Sequence, residues 1–132
     1  MLVINYRSQI AIYEQIKTQI MELIAVGELK PHQQLPSIRS LAADLSLNFN
    51  TVKKAFGELE SAGVIYTLVG RGCFVSDNAL ENESLQAKAR QALREGARAA
   101  RSVGLSREEA ARILDEIYTS EIEGRETTDA DH

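Results

Sequence analysis

The chain has 132 residues, a net charge of −4, one cysteine and no tryptophan. That is enough for one domain with an appendage, and 44% apolar residues are too many for wholesale disorder. The lone Cys73 excludes an internal disulfide and a cysteine-built zinc site. No leader-like start and no run near the roughly 18 apolar residues of a membrane span are present, so a cytoplasmic location is expected, with no membrane partner. The acidic total argues against a nucleic-acid partner until it is divided along the chain. Residues 1–78 balance seven basic against seven acidic side chains, and the excess acid lies in 79–132.

Leu2 to Ile4 is β-prone and predicts an edge strand. Ile10, Tyr13, Ile16, Ile20, Leu23 and Ile24 recur at three- and four-residue spacing, which predicts a helix over 10–26 with Ser8 as its cap and Gly27 as its stop. After the loop through Pro31 and His32, Ser37 can cap a second helix built on Ile38, Leu41, Ala42 and Leu45. Leu47 to Asn50 is a turn, and Asn48 or Asn50 can cap a third helix. Its buried stripe is Val52, Ala55, Phe56, Leu59 and Ala62. Val64–Thr67 and Cys73–Val75 flank the loop Leu68-Val69-Gly70-Arg71-Gly72, the pattern of a β-hairpin.

Ser76-Asp77-Asn78 breaks the pattern and places a domain boundary at residue 77. Two more helices are expected over 78–124. Leu85, Ala89, Ala92, Leu93, Ala97, Ala100 and Val103 share one face of the first. Ser106 and Glu109 form a capping box for the second, whose apolar face is Ala110, Ile113, Leu114, Ile117, Tyr118 and Ile122. Residues 125–132 are expected to be a disordered tail.

The fold class is therefore mainly α with a small β-hairpin wing: a winged helix-turn-helix (1–77) followed by a two-helix dimerisation tail. Such units place one helix in a DNA major groove. Asn48, Asn50, Thr51, Lys53 and Lys54 crowd the start of the third helix, and no acidic residue lies between Leu45 and Gly57. Amide and hydroxyl side chains suit base edges or phosphate, and lysine neutralises phosphate. Adjacent residues diverge by about 100° on a helix, so one of the two lysines must face away; Lys53 is taken as the DNA-side residue. Arg71, between Gly70 and Gly72, can enter a narrow minor groove.

Plainer readings stand beside these. Arg39 can pair with Asp44 or Glu58. Phe49 and Phe56 read as core, His32 as solvated, and Cys73 as a small buried hydrophobe. Arg90, Arg94, Arg98 and Arg101 read as a polar face paired with Glu95 and acids of the last helix. The tail's apolar faces exceed what two helices bury alone, so a homodimer is expected through Leu85, Ala89, Leu93, Val103, Ile113, Leu114, Ile117 and Tyr118. No nucleophile–base pair, metal spacing or phosphate loop points to an enzyme, and no cofactor is implied. A winged-helix protein-interaction module without specific DNA binding is the alternative function.

Motifs in order carry a further likeness. They are Ile12-Tyr13-Glu14-Gln15-Ile16, Gly27-Glu28-Leu29-Lys30-Pro31, Leu35-Pro36-Ser37-Ile38-Arg39-Ser40-Leu41-Ala42, the run from Asn50 to Gly63, and Gly70-Arg71-Gly72-Cys73-Phe74-Val75. The chain here resembles the N-terminal domain of GntR-type bacterial regulators. That resemblance implies DNA contacts at Arg39, with Ser37 beside it, at Asn48, Asn50, Thr51 and Lys53, and at Gly70 and Arg71 on the wing. It departs from the family at His32, where glycine is usual, and at Phe49, where proline is usual. The chain after Asp77 is too short for the large effector or aminotransferase-like domains of most relatives. Its two-helix tail resembles the YtrA-type subfamily, in which the tail dimerises. That likeness implies a repressor of transporter genes; two symmetry-related recognition helices in a dimer predict a palindromic operator, and whether a small-molecule effector acts is left open.

Overall fold

The computed structural model describes residues 2–130, with the surroundings of side chains described through residue 119. In chain order the elements are α1 (Ile12–Ala25), α2 (Ile38–Leu45), α3 (Phe49–Ser61), β1 (Ile65–Leu68), β2 (Gly72–Val75), α4 (Glu83–Ser102) and α5 (Arg107–Ala130). This is the mainly helical winged arrangement that the sequence predicts. Two compact units divide it, Met1–Gln86 and Ala87–His132. The first continues past residue 77, because Ala79 is buried in its core and Leu80 and Leu85 pack against that core.

The N-terminal segment is not a strand. Two glutamines four residues apart on α1 share one face and grip its backbone instead. Gln15, itself buried, accepts from Asn5 N at 2.8 Å and donates to the carbonyls of Asn5 and Ile10, each at 2.9 Å. Gln19 accepts from Val3 N at 2.8 Å and donates back to its carbonyl. The segment's backbone groups are thus satisfied without a neighbouring strand. Because Gln15 holds the Ile10 carbonyl, α1 starts at Ile12, not at 10. Its cap is Ala11, with no side-chain bond, and Ser8 Oγ accepts from Ile10 N at 3.1 Å outside the helix.

Ile16, Ile20 and Leu23 of α1 meet Leu41 and Ala42 of α2 and Val52, Ala55, Phe56 and Leu59 of α3 in one core. Ser37 caps α2, its Oγ accepting from Ser40 N at 3.0 Å. Helix α2 ends at Ser46, whose φ of +55° turns the chain. Asn48 then caps α3, its Oδ1 accepting from Asn50 N at 2.8 Å. The wing pairs Ile65 with Val75, Tyr66 with Phe74, Thr67 with Cys73 and Leu68 with Gly72. Val64, Ile65 and Val75 are buried and anchor the wing to the core. The loop before α2 lines the free edge of β2. His32 N donates to Val75 O at 2.7 Å, Val75 N to Gln33 O at 3.0 Å, and Leu35 N to Cys73 O at 2.8 Å.

In the second unit the chain turns at Gly104, where φ is +82°. Ser106 Oγ accepts from Glu109 N at 3.1 Å and starts α5, as the capping pattern predicts. α4 buries no residue. α5 runs through Ala130, over most of the 125–132 stretch expected to be disordered, while Asp131 and His132 lie outside the described residues. Ile122, expected on the apolar face of α5, lies outside the described side chains. Among the described residues no helix is long and apolar enough to cross a membrane.

Candidate nucleic-acid interface

The head of α3 is built by its cap. Asn48 satisfies the helix start twice, its side chain accepting from Asn50 N and its carbonyl from Thr51 N at 3.1 Å and Val52 N at 3.4 Å. Asn50 and Lys53 are exposed beside it, and Thr51 is half-buried. The structure separates the two adjacent lysines. Lys54 Nζ lies 3.9 Å above the centre of the Tyr13 ring on α1, whereas Lys53 stands free in solvent. Farther along the same flank Lys17 of α1 bonds Glu58 Oε1 at 2.8 Å, with Glu14 at 3.7 Å. Burial opposes the charge on Lys17, yet the two carboxylates outweigh it and hold its pKa above the ordinary lysine value.

Glu58 is therefore taken, and among the described residues Arg39 forms no ion pair. Arg39 and Ser37 are exposed in the first turn of α2. Tyr6 Oη donates to Leu45 O at 3.1 Å and ties the N-terminal segment to the end of α2; no periodicity signalled that bond.

At the wing tip Gly70 and Gly72 have φ of +78° and +116°, values that favour glycine. Arg71 N closes the turn on Leu68 O at 2.9 Å. Gln34, which sequence reasoning missed, donates from Nε2 to Arg71 O at 2.8 Å and bolts the tip to the neighbouring loop. The Arg71 side chain is exposed without an ion pair among the described residues.

Two expectations for this unit need correction. Phe49 is not core: it is 43% exposed, against 3% for Phe56. It is the first residue of α3, beyond the end of the packed layer. His32 is not merely solvated. Its φ is +66°, and its Nδ1 lies 2.9 Å from Tyr66 Oη. Tyr66 in turn stacks on Phe74 with centroids 5.6 Å apart. Cys73 is half-buried, its Sγ 3.5 Å from Thr67 Oγ1.

The residues expected at a dimer contact fall in two places. Leu85 is half-buried against the first unit's core. In the second unit Ala89, Leu93, Val103, Ile113, Leu114, Ile117 and Tyr118 are all exposed, Leu93 at 59% and Ile117 at 51%. An apolar groove of about 420 Å³ runs between α4 and α5, lined by Leu93, Ala97, Ala100, Ile113, Leu114 and Ile117 among others. Three of the four arginines in the α4 row depart from expectation. Glu95 accepts from Gln91 at 3.0 Å, and among the described residues Arg94, Arg98 and Arg101 form no ion pair.

Comparison with known proteins decides the family. Residues 12–75 match the bacterial regulatory proteins of the gntR family. YtrA from Sulfolobus acidocaldarius, described as a GntR-family transcription factor, is 42% identical in sequence. The match covers 70% of this chain and 96% of that one, with a TM-score of 0.58. The chain belongs to the GntR family. It is also 51% identical over 79 residues to the HTH-type transcriptional repressor YtrA of Bacillus subtilis strain 168, across 60% of this chain. It spans 61% of that relative's length. A transcriptional antiterminator from Listeria monocytogenes EGD-e shares 35% identity and a TM-score of 0.85, with 92% of each chain covered. The last likeness includes the helical tail as well as the winged unit. These relatives are transcriptional regulators, not enzymes, and the YtrA-type resemblance read from the two-helix tail agrees with them.

Proposed function

We propose that this GntR-family protein is a dimeric repressor that binds a palindromic operator through α3 and the wing. One observation carries the reading. The acid-free head of α3 presents Asn48, Asn50 and Lys53 to solvent with no internal partner for the lysine, while Lys54 beside it is committed to Tyr13. A helix that keeps one cation free and ties up the next is arranged for an external anion. Arg39 and Arg71 add two more unpaired cations on the same unit. Asn48 and Asn50 supply amide groups for base edges, Lys53 and Arg39 neutralise phosphate, and Arg71 reaches the minor groove from the wing. Ser37 and Thr51 contribute hydroxyl contacts, and Gly70 gives the wing backbone its close approach.

The tail makes the dimer. Its exposed Leu93, Ile113, Leu114, Ile117 and Tyr118 remain to be covered by the same helices of a second copy. Two-fold symmetry then pairs two half-sites about one helical turn apart. The controlled genes are proposed to be those of transporters, as the resemblance to the YtrA type implies, with derepression by a small-molecule effector whose identity is open.

The test is fluorescence anisotropy with DNA from upstream of the protein's own gene, against scrambled DNA, across a salt series. Selective, saturable binding with a steep salt slope is expected, because each neutralised phosphate contributes about −0.9 to that slope. If a random-sequence selection also enriches nothing, the winged unit is a protein-interaction module and the repressor reading fails.

A further inference from the structure

Phe49 is the least explained side chain of the winged unit. It is one of only three phenylalanines in the chain, and it stands 43% exposed at the first position of α3. Helical geometry says what lies beside it. Residues advance by about 100°, so counted from Phe49 the side chains of Lys53, Gly57 and Asn50 lie roughly 40°, 80° and 100° around the axis. Lys53, Gly57 and Asn50 form an outward strip with Phe49 at its edge, since buried Phe56 lies about 20° to the other side of Phe49. The inner face is taken by Val52, Ala55, Phe56 and Leu59, all buried. The flank toward α1 is taken by Lys54 over Tyr13 and Glu58 on Lys17. The strip holds no carboxylate before Glu60.

A single exposed phenylalanine is ordinary on a protein surface. Here, however, the ring borders the Lys53 ammonium group and the Asn50 amide at the edge of the strip that faces DNA in the reading above. A phenyl ring offers no hydrogen bond. Among the base edges of the major groove, the one group that suits it is the 5-methyl of thymine. We propose that Phe49 is a specificity-determining residue that packs on a thymine methyl in each operator half-site. This rests on the DNA-binding function proposed above.

Uracil in place of thymine tests it, since uracil keeps every hydrogen-bonding group and the base pair and deletes only the methyl. The operator is first selected from random DNA with the wild-type protein. Each thymine of the half-site is then replaced by uracil, and affinities are measured for wild type and Phe49→Ala. One position per half-site is expected to cost wild type about fourfold, the equivalent of about 0.8 kcal/mol for one buried carbon group. The same replacement is expected to cost Phe49→Ala nothing. If every replacement is silent, or costs both proteins equally, the proposal is overturned while tight binding to the selected operator keeps the DNA-binding reading. If selection enriches no sequence, that reading fails and the proposal with it. The wild-type arm depends on no variant, and thermal melts of Phe49→Ala confirm its fold.

Discussion

Gly72→Ala is expected to loosen the wing tip by a computable amount. At φ +116° an alanine takes up a backbone conformation that costs about 1–3 kcal/mol. Its Cβ would also lie 3.0 Å from Gln34 Nε2. Gln34 is exposed and can swing aside, but only by giving up its 2.8 Å bond to Arg71 O, worth about 1 kcal/mol. The sum is about 2–4 kcal/mol. Gly70→Ala is the control: at φ +78° its added Cβ meets nothing within 4 Å, so only backbone strain of about 1–2 kcal/mol applies. Gln34→Ala alone should cost about 1 kcal/mol. The double variant should cost less than the sum of its parts, because the clash and the lost bond involve the same amide. Urea unfolding at one fixed protein concentration measures all four. Operator binding gives an independent readout. Gln34→Ala retains the Arg71 charge, so affinity should fall while the salt slope stays. If Gly72→Ala costs no more than Gly70→Ala and Gln34→Ala binds operator as wild type does, the bolt between loop and tip has no energetic content and the reasoning is wrong.

Further outcomes follow from the same contacts. Lys53→Ala should weaken operator binding and reduce the salt slope by roughly 0.9 per subunit. Lys54→Ala should instead leave the slope intact and lower stability by about 0.5–1 kcal/mol through the lost cation–π contact; equal slopes for the two variants would refute the assignment of Lys53. The raised pKa of Lys17 implies that its pairing stabilises the fold fully below the unfolded-state value of about 10.4 and is lost as pH rises through the folded value. The melting-temperature gap between wild type and Glu58→Gln should therefore close in strong alkali, and a gap that persists there would exclude this cause. Ile117→Asp should give monomers in sedimentation equilibrium and weaken operator binding with the winged unit still folded; dimers that survive it would move the interface elsewhere.

What was legible in the sequence was whatever repeats along one element. The helices of the winged unit, the cap at Ser37, a cap at Asn48 or Asn50 and the presence of the hairpin follow from spacing and from single-residue chemistry. Contacts between elements distant in sequence were not legible in that way. Nothing local announces that Gln34 holds Arg71, that Tyr6 ties down the end of α2, or that Lys54 covers Tyr13. The Gln15 and Gln19 clamp sits between these cases. Their four-residue spacing places both amides on one face of α1, but only the folded chain shows that the segment under them was thereby spared from pairing as a strand. The tail is the limiting case. Its apolar periodicity is clear, but periodicity does not say what covers that face.

The two departures from the family pattern show how one kind of signal led to opposite structural answers. His32 occupies a position with φ +66°, where glycine is favoured on backbone grounds alone. The imidazole offsets part of that strain by bonding Tyr66 Oη, and Tyr66 is fixed by its stack on Phe74. The substitution is thus absorbed inside the winged unit, at the foot of the hairpin. Phe49 replaces a residue at the first position of α3, where proline fits because the backbone N–H has no helical partner. The helix keeps its start because Asn48 still caps it, so the change costs the fold little. The ring stays outside the buried core and is left 43% exposed at its edge. A departure that the fold absorbs carries information about stability. One that the fold turns toward solvent, on the strip with Asn50 and Lys53, carries information about what the strip meets. That asymmetry is why the uracil experiment addresses Phe49 and not His32.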